Sequence, residues 1–157
     1  MAVRTLIIFF GFSILGFNST RLKTERLKTI QPDYNLALEF INDYVDFLND
    51  STKEISSLEW VNQHQDLTRH FKTEFTRLIT EAEVKDPELG IGFDPILDAQ
   101  DHPNQFEIDQ IDSEYMIVKG INWPEFRLTL KLKHSNKKWL VEGSGIVNVP
   151  KEKRIER

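Results

Sequence analysis

The hydrophobic pattern of this chain changes its period at one place, and that change limits the fold more than any other feature. Between residues 33 and 83 apolar side chains recur every three or four positions; from Phe106 onward they recur at every second position. The first period belongs to a helix with one buried face, the second to a half-buried strand. The stretch Gly90 to Pro103, GIGFDPILDAQDHP, lies at the switch and holds the densest cluster of polar groups in the chain.

On the helical side, Ala37, Phe40, Ile41, Tyr44, Phe47 and Leu48 make one wide apolar face, opposite Glu39, Asn42, Asp43 and Asp46. Asp33 or Asn35 can cap this helix, because a short polar side chain accepts from the free N–H groups of a first turn. Asn49-Asp50-Ser51 closes it. Ile55 to Val61 predicts a turn or two of helix anchored by Trp60. A second long helix is expected from about Leu67 to Glu83, with Leu67, Phe71, Phe75, Leu78, Ile79 and Ala82 as its stripe.

On the strand side, Phe106 to Ile111 alternates imperfectly, and Tyr115 to Ile121 forms a second strand. Phe126, Leu128, Leu130 and Leu132 alternate cleanly with Arg127, Thr129, Lys131 and Lys133. Ser135 to Lys138 reads as a hairpin turn, and Trp139, Val141 and Ile146 to Val149 as the last strand. Gly143 and Gly145 predict a bulge or bend in it. Connections this short require antiparallel pairing. The expected class is α+β: two long N-terminal helices packed on a curved antiparallel sheet of about four strands, with a conical cavity between the layers.

A chain of 157 residues fits one domain, and 39% hydrophobic residues with eleven Phe argue that it folds. The domain is placed at 33–149, followed by a charged tail, 150–157, expected to be mobile. At the other end, Arg4 precedes Leu6 to Phe17, twelve residues with only Ser13 polar. That run is short of the roughly 20 apolar residues of a membrane span and matches a signal-peptide core. Residues 1–20 are therefore read as a signal peptide cleaved near Gly16 to Thr20, and 21–32 as a basic leader. The expected location is outside the cytoplasm, in a periplasm, with no stable membrane span after cleavage. A net charge of −5 lends no support to nucleic-acid binding. The absence of Cys excludes thiolate metal sites and Cys nucleophiles.

Asp94-Pro95 has the form of a helix start, with Asp as the cap and Pro in the first helical position. If the helix continues, Asp94, Asp98 and Asp101 share one face with His102 beside them. Three carboxylates and an imidazole could hold a hard cation or supply an acid and a base. The glycine and terminal glutamate of a calcium loop are missing, however, and a capping Asp with two solvated neighbours accounts for all three. Gln100 falls on the side of Leu97, so its amide is expected to be buried and bonded, or turned into a cavity. The candidate pocket is Asp94, Asp98, Gln100, Asp101 and His102. His64, His70, His102 and His134 have no metal-ligand spacing. Gly90-x-Gly92 is no dinucleotide fingerprint, and Gly143-Ser144-Gly145 is no nucleophile elbow. No catalytic set, metal or cofactor is assigned.

The phrase Asp94-Pro95-Ile96-Leu97-Asp98-Ala99-Gln100-Asp101 is preceded by two helices and followed by strands ending in Lys138-Trp139-Leu140-Val141. In this it resembles domain-of-unknown-function family 3828, small exported bacterial proteins. That family is similar to the nuclear transport factor two-like, or cystatin-like, superfamily. The resemblance implies a cystatin-like cone over about Tyr34 to Val149 and brings no activity or catalytic residues with it. The expected role is an exported cell-envelope protein, a non-enzymatic module binding a small molecule, peptide or protein partner. The alternative is a small lyase, isomerase or hydrolase using an Asp/His acid–base pair in the cone.

Overall fold

The computed structural model describes residues 31–156. The expected signal peptide and the leader up to residue 30 lie outside the described residues. Among the described residues, no helix is long and apolar enough to cross a membrane.

Among the described residues three helices come first: α1 (Tyr34–Asn49), α2 (Ser57–Gln63) and α3 (Arg69–Lys85). Each opens on a short polar cap. Asp33 accepts from the Leu36 N–H, Ser56 from the Glu59 N–H and Thr68 from the Phe71 N–H. Each bond satisfies one of the N–H groups that a first turn leaves open, typically about 1 kcal/mol apiece. The buried stripe of α1 is Ala37, Phe40, Ile41, Tyr44 and Val45. Asn42, expected on the wet face, instead clamps the sheet. Its Oδ1 accepts from the Phe106 N–H at 2.7 Å and its Nδ2 donates to the Phe106 carbonyl at 3.2 Å.

The sheet follows as β1 (Phe106–Asp112), β2 (Tyr115–Gly120), β3 (Arg127–Ser135) and β4 (Lys138–Ser144), antiparallel and in sequence order. Facing pairs Val118 with Leu128, Met116 with Leu130, and Leu132 with Val141 are all buried. They form the apolar face that the helices cover. Asn136 (φ 49°) and Lys137 (φ 68°) both take the left-handed conformation that a tight two-residue hairpin turn requires. The register slips once in β1, around Asp109, and once in β4, around Glu142. At both bulges the extra residue is an acid.

The last strand ends at Ser144 instead of running on to Val149. Gly145 turns the chain at φ 57°, and a Cβ there would lie 2.5 Å from the Pro95 and Ile96 carbonyl oxygens. Only glycine lets the chain pass so close to the 94–99 segment.

The curved sheet expected to enclose a cone is not what forms: the sheet is not strongly curled. Strands of six to nine residues offer little length over which to curl. The space between the layers is filled by Phe40, Tyr44, Phe71, Phe75, Ile96 and Leu97, each no more than 1% exposed. Phe71 meets Phe40 edge-on at 5.7 Å, and Trp60 packs against Tyr44 and Phe47. Burying each such side chain contributes about 1.5–3 kcal/mol.

The charged tail is also docked in place of the mobile end expected. Lys151–Lys153 makes a single 3-10 turn, and the Thr129 hydroxyl donates to the Lys153 carbonyl at 2.7 Å. Arg154 Nε donates to the Val149 carbonyl at 2.8 Å. This turn covers Thr129 on the face of the sheet opposite the helices, and the Lys153 ammonium lies over the Tyr115 ring.

Candidate functional site

The polar stretch at the switch is a closed loop and not the start of a helix. Asp94 Oδ1 accepts from the Ile96 and Leu97 N–H groups at 2.8 and 3.0 Å, while Asp94 and Ala99 bond to each other through their backbones. Asp98 then turns the chain back at φ 53°. A carboxylate bonding N–H groups two and three residues ahead serves a turn as well as a helix cap, so the Asp-Pro pair does not distinguish them. Asp94, Asp98 and Asp101 therefore do not share a helix face. Among the described residues, no group of three or more His, Cys, Asp or Glu is placed to hold a metal ion.

Asp94 itself is an anchor. Its Oδ2 accepts from the Tyr44 hydroxyl at 2.5 Å, tying the loop to the middle of α1 across fifty residues of sequence. Burial raises the Asp94 pKa above the usual carboxylate value; Tyr44, the two backbone N–H groups and the charge of His102 pull against that rise. Burial and the neighbouring Asp94 push the Tyr44 phenol far above its ordinary value, so it stays protonated and donates. Behind this bond Ile96 and Leu97 enter the core, and Ser144 Oγ donates to the Ile96 carbonyl at 2.8 Å. The segment is thereby fixed to α1 on one side and to the end of β4 on the other.

The remaining candidates separate. Gln100 is exposed, contrary to the buried amide expected of a helix, and its Nε2 donates to the Gly92 carbonyl at 2.9 Å. His102 is half-buried, with Nδ1 3.0 Å from the Pro103 carbonyl oxygen. Asp98, Gln100 and Asp101 come together on an open groove of about 530 Å³, with Ala99, Trp123, Glu125, Phe126 and Glu156 as its other walls. Asp94 and His102 are not among its lining residues.

Four of those walls were not visible as a site in the sequence. Trp123-Pro124 reads as the end of a strand, Phe126 as the first apolar residue of the next, and Glu156 as part of the charged tail. Yet Trp123 is 42% exposed, resting edge-on at 5.2 Å against Phe126, which is itself buried against Phe106. A tryptophan followed by Pro and Glu in a connection, outside any apolar period, is the signal that could have found it. Among the described residues, the groove thus has an aromatic wall, four carboxylates and no cationic side chain. Such a surface suits a positively charged guest: carboxylates attract it through space, and the indole face through its quadrupole.

No family model, curated protein or solved structure matches this chain.

Proposed function

We propose that this protein is a non-enzymatic binding module whose groove at Asp98, Asp101, Trp123, Glu125 and Glu156 receives a basic segment of a peptide or protein partner. The observation that carries this reading is the partly exposed Trp123 set among four carboxylates. A large aromatic left open to water in an otherwise well-filled fold calls for a partner more than a scattered aliphatic does. The chain's own net charge of −5 favours encounter with a cationic one.

The acid–base alternative needs a carboxyl that is both perturbed and open to a ligand. Asp94 is perturbed, but its oxygens are occupied by Tyr44, Ile96 and Leu97. That arrangement favours binding over catalysis. Export to a cell envelope belongs to the same proposal, supported by the apolar run Leu6 to Phe17 and by the resemblance of the Asp94–Asp101 phrase to small exported bacterial proteins.

The affinity follows from the openness of the groove. Each exposed carboxylate–cation contact contributes up to about 1 kcal/mol, and a cation over the indole about 0.5–1 kcal/mol. Three or four such contacts give a Kd on the order of 1 mM for a short oligocation, weakened further by salt. Titrating the full chain with hexa-arginine while following tryptophan fluorescence tests this. The expected result is saturable binding at low salt that is lost in Trp123→Ala and weakened in Glu125→Gln. Equal binding by both variants would remove the groove from consideration.

A further inference from the structure

On the opposite flank, residues 66–68 pair with β4 just before α3 begins. The Val141 N–H donates to the Asp66 carbonyl at 2.8 Å, and the Thr68 N–H donates to the Val141 carbonyl at 3.0 Å. This pairing seats the first turn of α3 beside Glu142, the extra residue of the β4 bulge. Bulges commonly re-aim a side chain that regular alternation would place elsewhere.

Glu142 is only 5% exposed, which is unusual for a carboxylate unless it is paired. Its Oε1 meets His70 Nδ1 at 2.9 Å and the Lys133 ammonium at 3.6 Å. Its Oε2 is sealed from solvent and, among the described residues, meets no donor in good hydrogen-bond geometry, the Thr68 hydroxyl lying beside the carboxyl and favouring its ionised form. His70, by contrast, has a side chain 63% exposed. The contact of Nδ1 with Glu142 fixes the ring, and an imidazole that donates there keeps only an acceptor at Nε2, so the donors to an oxyanion come from its neighbours. Around it lies an open cleft of about 530 Å³ lined by Arg69, Thr73, Lys133, Ser135 and Asn136 together with His70 and Glu142.

Neutralising one buried carboxylate needs one cation. This cleft gathers Arg69, Lys133 and an imidazole with a single acid, and adds the hydroxyls of Thr68, Thr73 and Ser135 and the Asn136 amide on its walls. We infer that the cleft binds a small oxyanion of the carboxylate or phosphate type, with Arg69 and Lys133 as its charge partners. Glu142 acts as a positioning residue: it fixes the His70 ring and holds Lys133 at the rim. The Ser135, Thr73 and Asn136 side chains supply neutral donors.

The test uses the full chain near neutral pH, titrated separately with inorganic phosphate and with acetate at constant ionic strength, while backbone amides are followed by NMR. Saturable shifts are expected at Thr68 to Thr73 and Lys133 to Asn136. The anion that saturates at the lower concentration assigns the phosphate or the carboxylate type. Lys133→Ala and Arg69→Ala should each weaken binding about tenfold, the equivalent of one charge-assisted hydrogen bond. Lys137→Ala, on the hairpin outside the cleft, should leave it unchanged. Shifts that never saturate, or an equal loss in Lys137→Ala, would overturn the assignment and leave only diffuse attraction to a basic surface.

Discussion

Replacing Tyr44 by Phe removes one hydroxyl from the centre of the molecule and leaves Asp94 Oδ2 without its donor. Tyr44 is fully buried, and its hydroxyl lies 2.5 Å from that oxygen. A hydrogen bond to a charged group contributes about 1.5–3 kcal/mol, and a buried charge left short of a donor lies toward the top of that range. A loss of about 2–3 kcal/mol is expected, against a total stability of about 5–15 kcal/mol. The loss should depend on pH in a fixed direction. Because burial raises the Asp94 pKa in the folded state, that state holds the proton more tightly than the unfolded chain does. The resulting stability is fully present below the ordinary aspartate value of 3.8 and is lost as pH rises through the folded pKa. Tyr44→Phe removes one of the influences that lower this pKa, so the variant loses more across the window. In acid, where Asp94 is protonated, the penalty should shrink to about 1 kcal/mol, the net contribution of a neutral hydrogen bond. Urea unfolding followed by tryptophan fluorescence, at neutral and acid pH, measures both quantities. With Asp94→Asn and the double variant, the cycle should give a coupling of about 1.5–3 kcal/mol. A coupling within about 0.5 kcal/mol of zero, or a penalty independent of pH, would refute the reasoning.

Gly145 and Gly90, two of the three described glycines with left-handed φ, should respond differently to alanine. Gly145→Ala, facing two carbonyl oxygens, should cost at least about 3 kcal/mol, whereas Gly90→Ala, with nothing within 4 Å, should cost about 1 kcal/mol. Equal losses in urea melts would contradict the close approach of Gly145 to the 94–99 loop. Gln100→Leu should cost less than about 1 kcal/mol, since the amide is exposed and makes one bond; a fall of about 3 kcal/mol would mean that it is buried. At Glu142 burial favours the neutral acid, yet Thr68, His70 and Lys133 outweigh it and the pKa lies below the ordinary glutamate value. Its stability is therefore present above 4.5 and lost as pH falls through the folded pKa. Glu142→Gln should flatten that acid limb of the stability curve, and an unaltered limb in calorimetry would argue against the ion pair.

What the sequence reveals and what it hides follow from the range of each interaction. The stripes of α1 and α3, the clean alternation of β3 and the turn at Asn136-Lys137 are local patterns, and all are legible. The 94–101 segment is local too, but Asp-Pro opens a turn and a helix with the same hydrogen bonds. Reading it as a helix put Gln100 inside and aligned Asp94 with Asp98 and Asp101, whereas Asp94 is turned inward to Tyr44 and the other two line the groove. The partners that decide the role of each acid are distant. Tyr44 reaches Asp94 across fifty residues, and His70 reaches Glu142 across seventy-two. Periodicity places each on its own element and says nothing of such pairs. Asn42 escaped for the same reason, since a polar residue on a helix flank is ordinary until a strand edge arrives beside it. The groove depends on three separate segments, so only its first wall, Asp98 to Asp101, was visible.

The most direct test of the proposed role is where a basic peptide lands. Two-dimensional NMR of the full chain, titrated with hexa-arginine at low salt, resolves the indole N–H of Trp123 from those of Trp60 and Trp139. Saturable movement of the Trp123 indole and the Asp98 to Asp101 amides, with Trp60 and Trp139 unmoved, is the predicted result. A Trp123 indole that stays in place while the peptide binds elsewhere, or does not bind, would contradict it.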